Sequence, residues 1–200
     1  MESNKHKHKV YYNEIMARKY GALTAAVFNF LYCKIKSKEK NGKNFLDGEY
    51  WDCKTLSQIG FELGLSKRSV RTQIDNLRTF EIIKTRNYNE TETYKCLWFA
   101  LDDISAIENY LSDENINYVY RDDVRECKFN QAIMLKTLIC KMDDEETDEI
   151  RITRKKLSDV SGFENDGFVK RSLIKLEKLN KIEIIASNPL IISMKLEHQV

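Results

Sequence analysis

The stretch from Thr55 to Arg86, TLSQIGFELGLSKRSVRTQIDNLRTFEIIKTR, limits what this chain can become more than any other. Thr55 is placed to cap a short helix that runs to Gly64, with Leu56, Ile59 and Leu63 recurring at helical spacing on its inner face. Gly64 supplies a tight turn, because glycine accepts a positive φ without steric cost. Ser66 then caps a second helix, SKRSVRTQIDNLRTF, whose buried stripe is Val70, Ile74 and Leu77. At 100° per residue Thr72 faces away from that stripe, flanked by Arg68 and Asn76.

A β-rich run, Ile82 to Arg86, follows the second helix; a polar turn over Asn87 to Thr93 and a strand over Tyr94 to Leu101 complete a hairpin. Helix, turn, helix and hairpin in this order predict a winged helix-turn-helix, an α+β fold that is mainly helical with small β-hairpins. In that arrangement the second helix enters the DNA major groove and the hairpin touches backbone. Arg68, Arg71 and Thr72 are predicted to approach base edges, with Lys67 near phosphate, and Asn76 is a further DNA-binding residue on the same face. Lys84, Arg86 and Lys95 flank the hairpin turn and are predicted to meet phosphates or the adjacent minor groove. Two other readings of the stretch are a small helical core with a solvated charged face, and a winged helix that binds protein instead of DNA.

Upstream, residues 1–10 are polar and basic and read as a disordered arm. Tyr11 to Tyr20 is predicted as a short helix, interrupted by Gly21, and Leu23 to Ile35 as a buried helix. Lys34 to Lys43 reads as a basic loop, Gly48 to Asp52 as a turn and short strand, and Trp51 as core. This order of elements, with Asn41-Gly42-Lys43-Asn44-Phe45, Asp47-Gly48-Glu49-Tyr50-Trp51, Leu56-Ser57, Ser66-Lys67-Arg68-Ser69-Val70-Arg71, Leu77 and Ile82-Ile83, resembles the N-terminal winged helix of phage replication-initiation proteins, the replisome-organiser group, over about residues 11–101. The resemblance implies binding to a replication origin and recruitment of helicase-loading partners. Members of that group tend to carry a glycine before the last Ile-Ile; here Glu81 stands in its place.

Downstream, residues 102–123 are predicted as a helical linker, with Ile104, Ile107 and Leu111 on one face of its helix. Residues 124–200 then repeat the first module with a period of about 100 residues. Phe129 to Met142 is a predicted buried helix with Ala132, Leu135, Ile139 and Met142 inward, followed by an acidic loop over Asp143 to Glu149 and a strand over Ile150 to Ile152. Leu157-Ser158 echoes Leu56-Ser57, and Val169, Leu173 and Leu176 match Val70, Ile74 and Leu77. The expected fold is therefore tandem winged helices, with Lys170, Arg171 and Lys175 as DNA-facing residues of the second. Ile174 is predicted to point outward, towards a protein.

Charge divides the chain. Residues 1–100 carry 18 Lys and Arg against 11 Asp and Glu, whereas residues 101–200 carry 15 against 20, within a total of +2. Only a basic surface gains from releasing counterions off phosphates, so the first module is the stronger DNA candidate. The acidic second module suits a protein partner, either a second copy of the chain or a replication protein.

The chain is 42% hydrophobic, enough for real cores, and its apolar runs are too short to span a bilayer. No signal-peptide core is present, so no membrane association and a cytoplasmic location are expected. Cys33, Cys53, Cys96, Cys127 and Cys140 form no CxxC pair and are predicted to be reduced. No histidine spacing supports zinc, and there is no phosphate-cradling GxxxxGKS/T, nucleophile elbow or calcium loop. Neither catalysis, a cofactor nor a small-molecule substrate is expected. The sequence thus predicts sequence-specific binding of double-stranded DNA, in replication initiation for a phage or plasmid. A transcriptional repressor and a winged-helix protein adaptor are the alternatives.

Overall fold

A computed structural model describes residues 8–89, 96–102, 110, 115–163 and 166–195. The fold is α+β, with eight helices and ten short strands among the described residues. The chain divides into two compact units, Met1–Arg121 and Asp122–Val200.

In the first unit, β1 (Lys9–Asn13) runs straight into α1 (Glu14–Tyr20). Asn13 makes that junction. Its Oδ1 accepts the Met16 amide at 2.8 Å and its Nδ2 donates to the Tyr110 carbonyl at 2.9 Å. Gly21, at φ +91°, redirects the chain into α2 (Ala22–Lys40). This helix buries Ala25, Ala26, Val27, Phe28, Leu31 and Ile35 against β1, α1 and α4. A hairpin of β2 (Phe45–Leu46) and β3 (Glu49–Tyr50) turns through Asp47 and Gly48, both at positive φ, as a type I′ two-residue turn requires. Then come β4 (Asp52–Lys54), α3 (Leu56–Leu63), α4 (Lys67–Thr79), β5 (Ile83–Arg86) and β6 (Leu97–Leu101), with sheet order β4-β6-β5. Trp51, Phe99 and Ile59 are wholly enclosed in the core.

Several segments differ from the sequence expectation. Lys9 and Val10, placed in the predicted disordered arm, are in β1, and Lys34 to Lys40, predicted as a basic loop, continue α2 because Ile35 on the same helical stripe is buried. Residues 11–13, predicted as helix, belong to β1, and β7 (Ile116–Tyr120) lies within the predicted helical linker. The two strands pair antiparallel, Lys9 opposite Tyr120 and Tyr11 opposite Tyr118. The partners lie more than a hundred residues apart, so no local periodicity marks the ladder. The first unit therefore extends through β7. The predicted helix bearing Ile104, Ile107 and Leu111 lies outside the described residues, as do residues 1–7 of the predicted arm.

The second unit has α5 (Arg121–Cys127), α6 (Phe129–Asp144), β8 (Glu149–Ile152), α7 (Arg154–Ser161), α8 (Asp166–Lys178), β9 (Ile182–Ser187) and β10 (Leu190–Met194). Its sheet order, β8-β10-β9, repeats that of the first unit. The details repeat as well. Lys128, at φ +79°, stands before α6 as Gly21 stands before α2. Thr153 caps α7 as Thr55 caps α3, and Gly162 ends α7 in the left-handed region as Gly64 ends α3. Gln131 donates to Ser172 between α6 and α8, as Thr24 donates to Gln73 between α2 and α4. Ile139, predicted inward on α6, is exposed, while Leu138 beside it is fully buried.

The cysteine expectation is corrected. Cys53 of β4 and Cys96, just before β6, form a disulfide, with Cα atoms 5.9 Å apart although 43 residues separate them in sequence. Cys33 and Cys140 are exposed and lie outside that disulfide. Burial first, then the carboxylates of Asp123 and Glu126, pushes the Cys127 thiol up to about 11. No helix among the described residues is long and apolar enough to cross a membrane.

Candidate nucleic-acid interface

α3 and α4 form as their residues dictate. Thr55 and Gln58 make a reciprocal capping box, and the Ser66 hydroxyl accepts the Ser69 amide at 3.1 Å. Gly64 takes the left-handed φ of +70° that closes α3. A second glycine sets the corner. A Cβ on Gly60 would lie 2.5 Å from the Leu65 carbonyl oxygen, and the Gly60 carbonyl accepts the Leu65 amide at 2.8 Å. The sequence pattern marks only Gly64 as the turn.

Val70, Ile74 and Leu77 are buried, so α4 turns its other side outward. Lys67, Arg68, Arg71 and Thr72 are exposed along it, and the Thr72 hydroxyl donates to the Arg68 carbonyl at 3.2 Å. Asn76 is half-buried and donates to Gln73 at 3.4 Å. Gln73 in turn accepts from the buried Thr24 at 2.8 Å, which ties α4 to α2. Among the described residues no carboxylate pairs with Lys67, Arg68 or Arg71; the nearest acid–base pair on α4 is Arg78 with Asp75, at 3.9 Å. The face is an exposed cationic row on a helix fixed from behind.

The hairpin β5–β6 is different. Lys84 is ion-paired with Glu49 and lies 4.0 Å from Asp102. The Arg86 guanidinium meets Asp47 at 2.6 Å, and the Tyr88 hydroxyl donates to the same carboxylate at 2.5 Å. Arg86 also lies over the Trp51 ring, 5.8 Å from its centroid. Both cations predicted to meet phosphate are thus held by acids of the β2–β3 hairpin, which weakens their expected role. Lys95 and the turn tip from Glu90 lie outside the described residues. The missed signal is Asp47 and Glu49 themselves, plain in the sequence but 39 and 35 residues from their partners.

In the second unit, the shared topology sets Lys170 where α4 has Arg71, Arg171 where it has Thr72, and Lys175 where it has Asn76. Lys170 and Arg171 are exposed and Lys175 is half-buried, with Arg171 lying 5.9 Å from the Phe168 ring centroid. Other positions change character. Gly167 replaces Arg68, Ile174 replaces Asp75, Glu183 replaces Lys84 and Ile185 replaces Arg86. Ile174 and Ile185 are 38% and 51% exposed, so the second unit presents apolar side chains where the first presents charge.

No group of three or more His, Cys, Asp or Glu side chains among the described residues could hold a metal ion. Comparison with protein-family models, with curated proteins and with solved structures finds no match to this chain.

Proposed function

We propose that the chain is a tandem winged-helix protein that binds double-stranded DNA sequence-specifically, and that it acts in initiating replication of a phage or plasmid. The observation that carries the DNA reading is the row Lys67, Arg68, Arg71 and Thr72, exposed and without carboxylate partners among the described residues. The replication role rests on the resemblance of residues 11–101 to the replisome-organiser group. In this reading α4 lies in the major groove, where Arg68 and Arg71 are placed for guanine O6 and N7 and Lys67 for phosphate. Unit two adds Lys170, Arg171 and Lys175 as secondary contacts.

The exposed Ile174 and Ile185 support a protein contact on the second unit, with a second copy of the chain or a replication protein as partner. Selection of bound fragments from random duplex DNA tests the reading. A recovered motif in direct repeats supports an initiator, and a pseudo-palindrome would shift the assignment to a dimeric repressor. Absence of any DNA affinity at low salt would leave the adaptor reading in its place.

A further inference from the structure

The paired strands β1 and β7 form an exposed ribbon that the duplex-binding reading does not use. Its inner face is closed by Val10 opposite Val119, 2% and 1% exposed. The outer face carries Lys9 opposite Tyr120 and Tyr11 opposite Tyr118. The Tyr11 and Tyr118 ring centroids are 6.0 Å apart, those of Tyr118 and Tyr120 are 5.6 Å apart, and the Lys9 ammonium sits 4.1 Å from the Tyr118 centroid. Cross-strand tyrosine pairs stabilise a ribbon, yet Tyr11 remains 45% exposed.

Beside Tyr11, between β1 and the helices α2 and α3, lies a cavity of about 220 Å³ lined by His8, Lys9, Tyr11, Phe30, Lys34 and Glu62, among others. That is below the roughly 300 Å³ at which pockets begin to hold drug-sized molecules, so it suits a single ring. Two lysines and a histidine face one carboxylate there. Aromatic faces alternating with cations are what unpaired bases and their phosphates require.

We propose that the tyrosine-bearing face of β1 and β7 is a stacking surface for single-stranded DNA, with Tyr11 against a base and Lys9 and Lys34 near phosphates. Any base offers a π-face, so the surface binds without sequence preference. The choice of DNA over RNA rests on the duplex-DNA reading of α4; the surface itself does not.

The test uses the full chain and a fluorescein-labelled oligothymidylate at low salt, with fluorescence anisotropy as the readout. A labelled duplex and an oligouridylate of the same length are parallel arms. Tyr11→Ala should weaken single-strand binding by about ten-fold while leaving duplex binding within about two-fold, and Tyr11→Phe should retain most of it. Lys34→Ala, on the exposed side of α2, should flatten the log–log salt dependence by roughly 0.7. It keeps the question answerable if the Tyr11 variant folds poorly. Arg68→Ala should lower duplex affinity and spare the single strand. If the duplex arm fails while Tyr11→Ala still releases the single strand, the α4 reading falls and this surface stands. Absence of saturable single-strand binding by the unaltered chain, or unchanged binding by both Tyr11→Ala and Lys34→Ala, would overturn the proposal. Tighter binding of the oligouridylate would overturn the choice of DNA.

Discussion

Glu81 holds a φ of +56°, just after the end of α4. Its amide reaches the Arg78 carbonyl at 3.0 Å, and the next amide, Ile82, reaches Leu77 at 3.0 Å, which closes the helix. A side chain in this region costs about 1–2 kcal/mol, and glycine returns part of that advantage through its own entropy. Glu81→Gly should therefore stabilise the first unit by about 0.5–1 kcal/mol, read as a higher urea midpoint at unchanged slope. A lower midpoint would mean that the Glu81 side chain makes a stabilising contact outweighing the strain. The second unit places Asn180, at φ +59°, in the matching position, and asparagine tolerates this conformation better than glutamate. At this scale much was legible. Thr55, Ser66 and Gly64 announce their caps and turn, and Val70, Ile74 and Leu77 announce the buried side of α4, because each signal is local. Gly60 was not, since its need for a missing Cβ comes from Leu65 folding back over it.

Elements that depend on distant partners were less legible. The sequence marks a turn and short strand over Gly48 to Asp52 but not the partner strand Phe45–Leu46, and Asp47 and Glu49 of this β2–β3 hairpin occupy Arg86 and Lys84. Its effect on DNA binding follows from charge. While those pairs persist, the two cations release few counterions on meeting phosphate. Asp47→Asn combined with Glu49→Gln should tighten non-specific duplex binding and steepen its log–log salt dependence, by roughly 0.9 for each further phosphate that the freed cations neutralise. An unchanged slope in a salt titration would remove the β5–β6 hairpin from the interface. The β1–β7 ladder was illegible for the same reason: Val10 and Tyr12 alternate with Lys9 and Tyr11 as a strand should, but the stretch is short and the tyrosines also fit a helix. The Cys53–Cys96 pair likewise emerges only when β4 lies beside β6.

The whole chain repeats one topology with opposite charge, a surplus of basic residues in residues 1–100 and of acidic residues in residues 101–200. The repeat was legible because the matching stripes of α4 and α8 share spacing. The boundary was not, because β7 belongs to the first unit. A fragment 1–112 loses β7 and leaves β1 unpaired, so it should be less stable than 1–121 by thermal melting. Equal melting of the two would mean that the ladder contributes nothing to the first unit. Fragment 1–121 should keep most of the DNA affinity. Fragment 122–200 should bind DNA poorly and retain association, which Ile174→Asp with Ile185→Asp should disrupt in sedimentation. If 122–200 binds DNA more tightly, Lys170, Arg171 and Lys175 are the principal contacts despite the surrounding acidity.

Base reading by α4 is tested most directly at Arg68. The affinity of the full chain is to be measured with and without Arg68→Ala, on the selected duplex and on a scrambled duplex at one salt concentration. A guanine contact is worth about 1–3 kcal/mol of discrimination. Arg68→Ala should therefore lower the ratio of the two affinities by at least about five-fold. An unchanged ratio, with both affinities falling together or neither falling, would contradict base readout by this face.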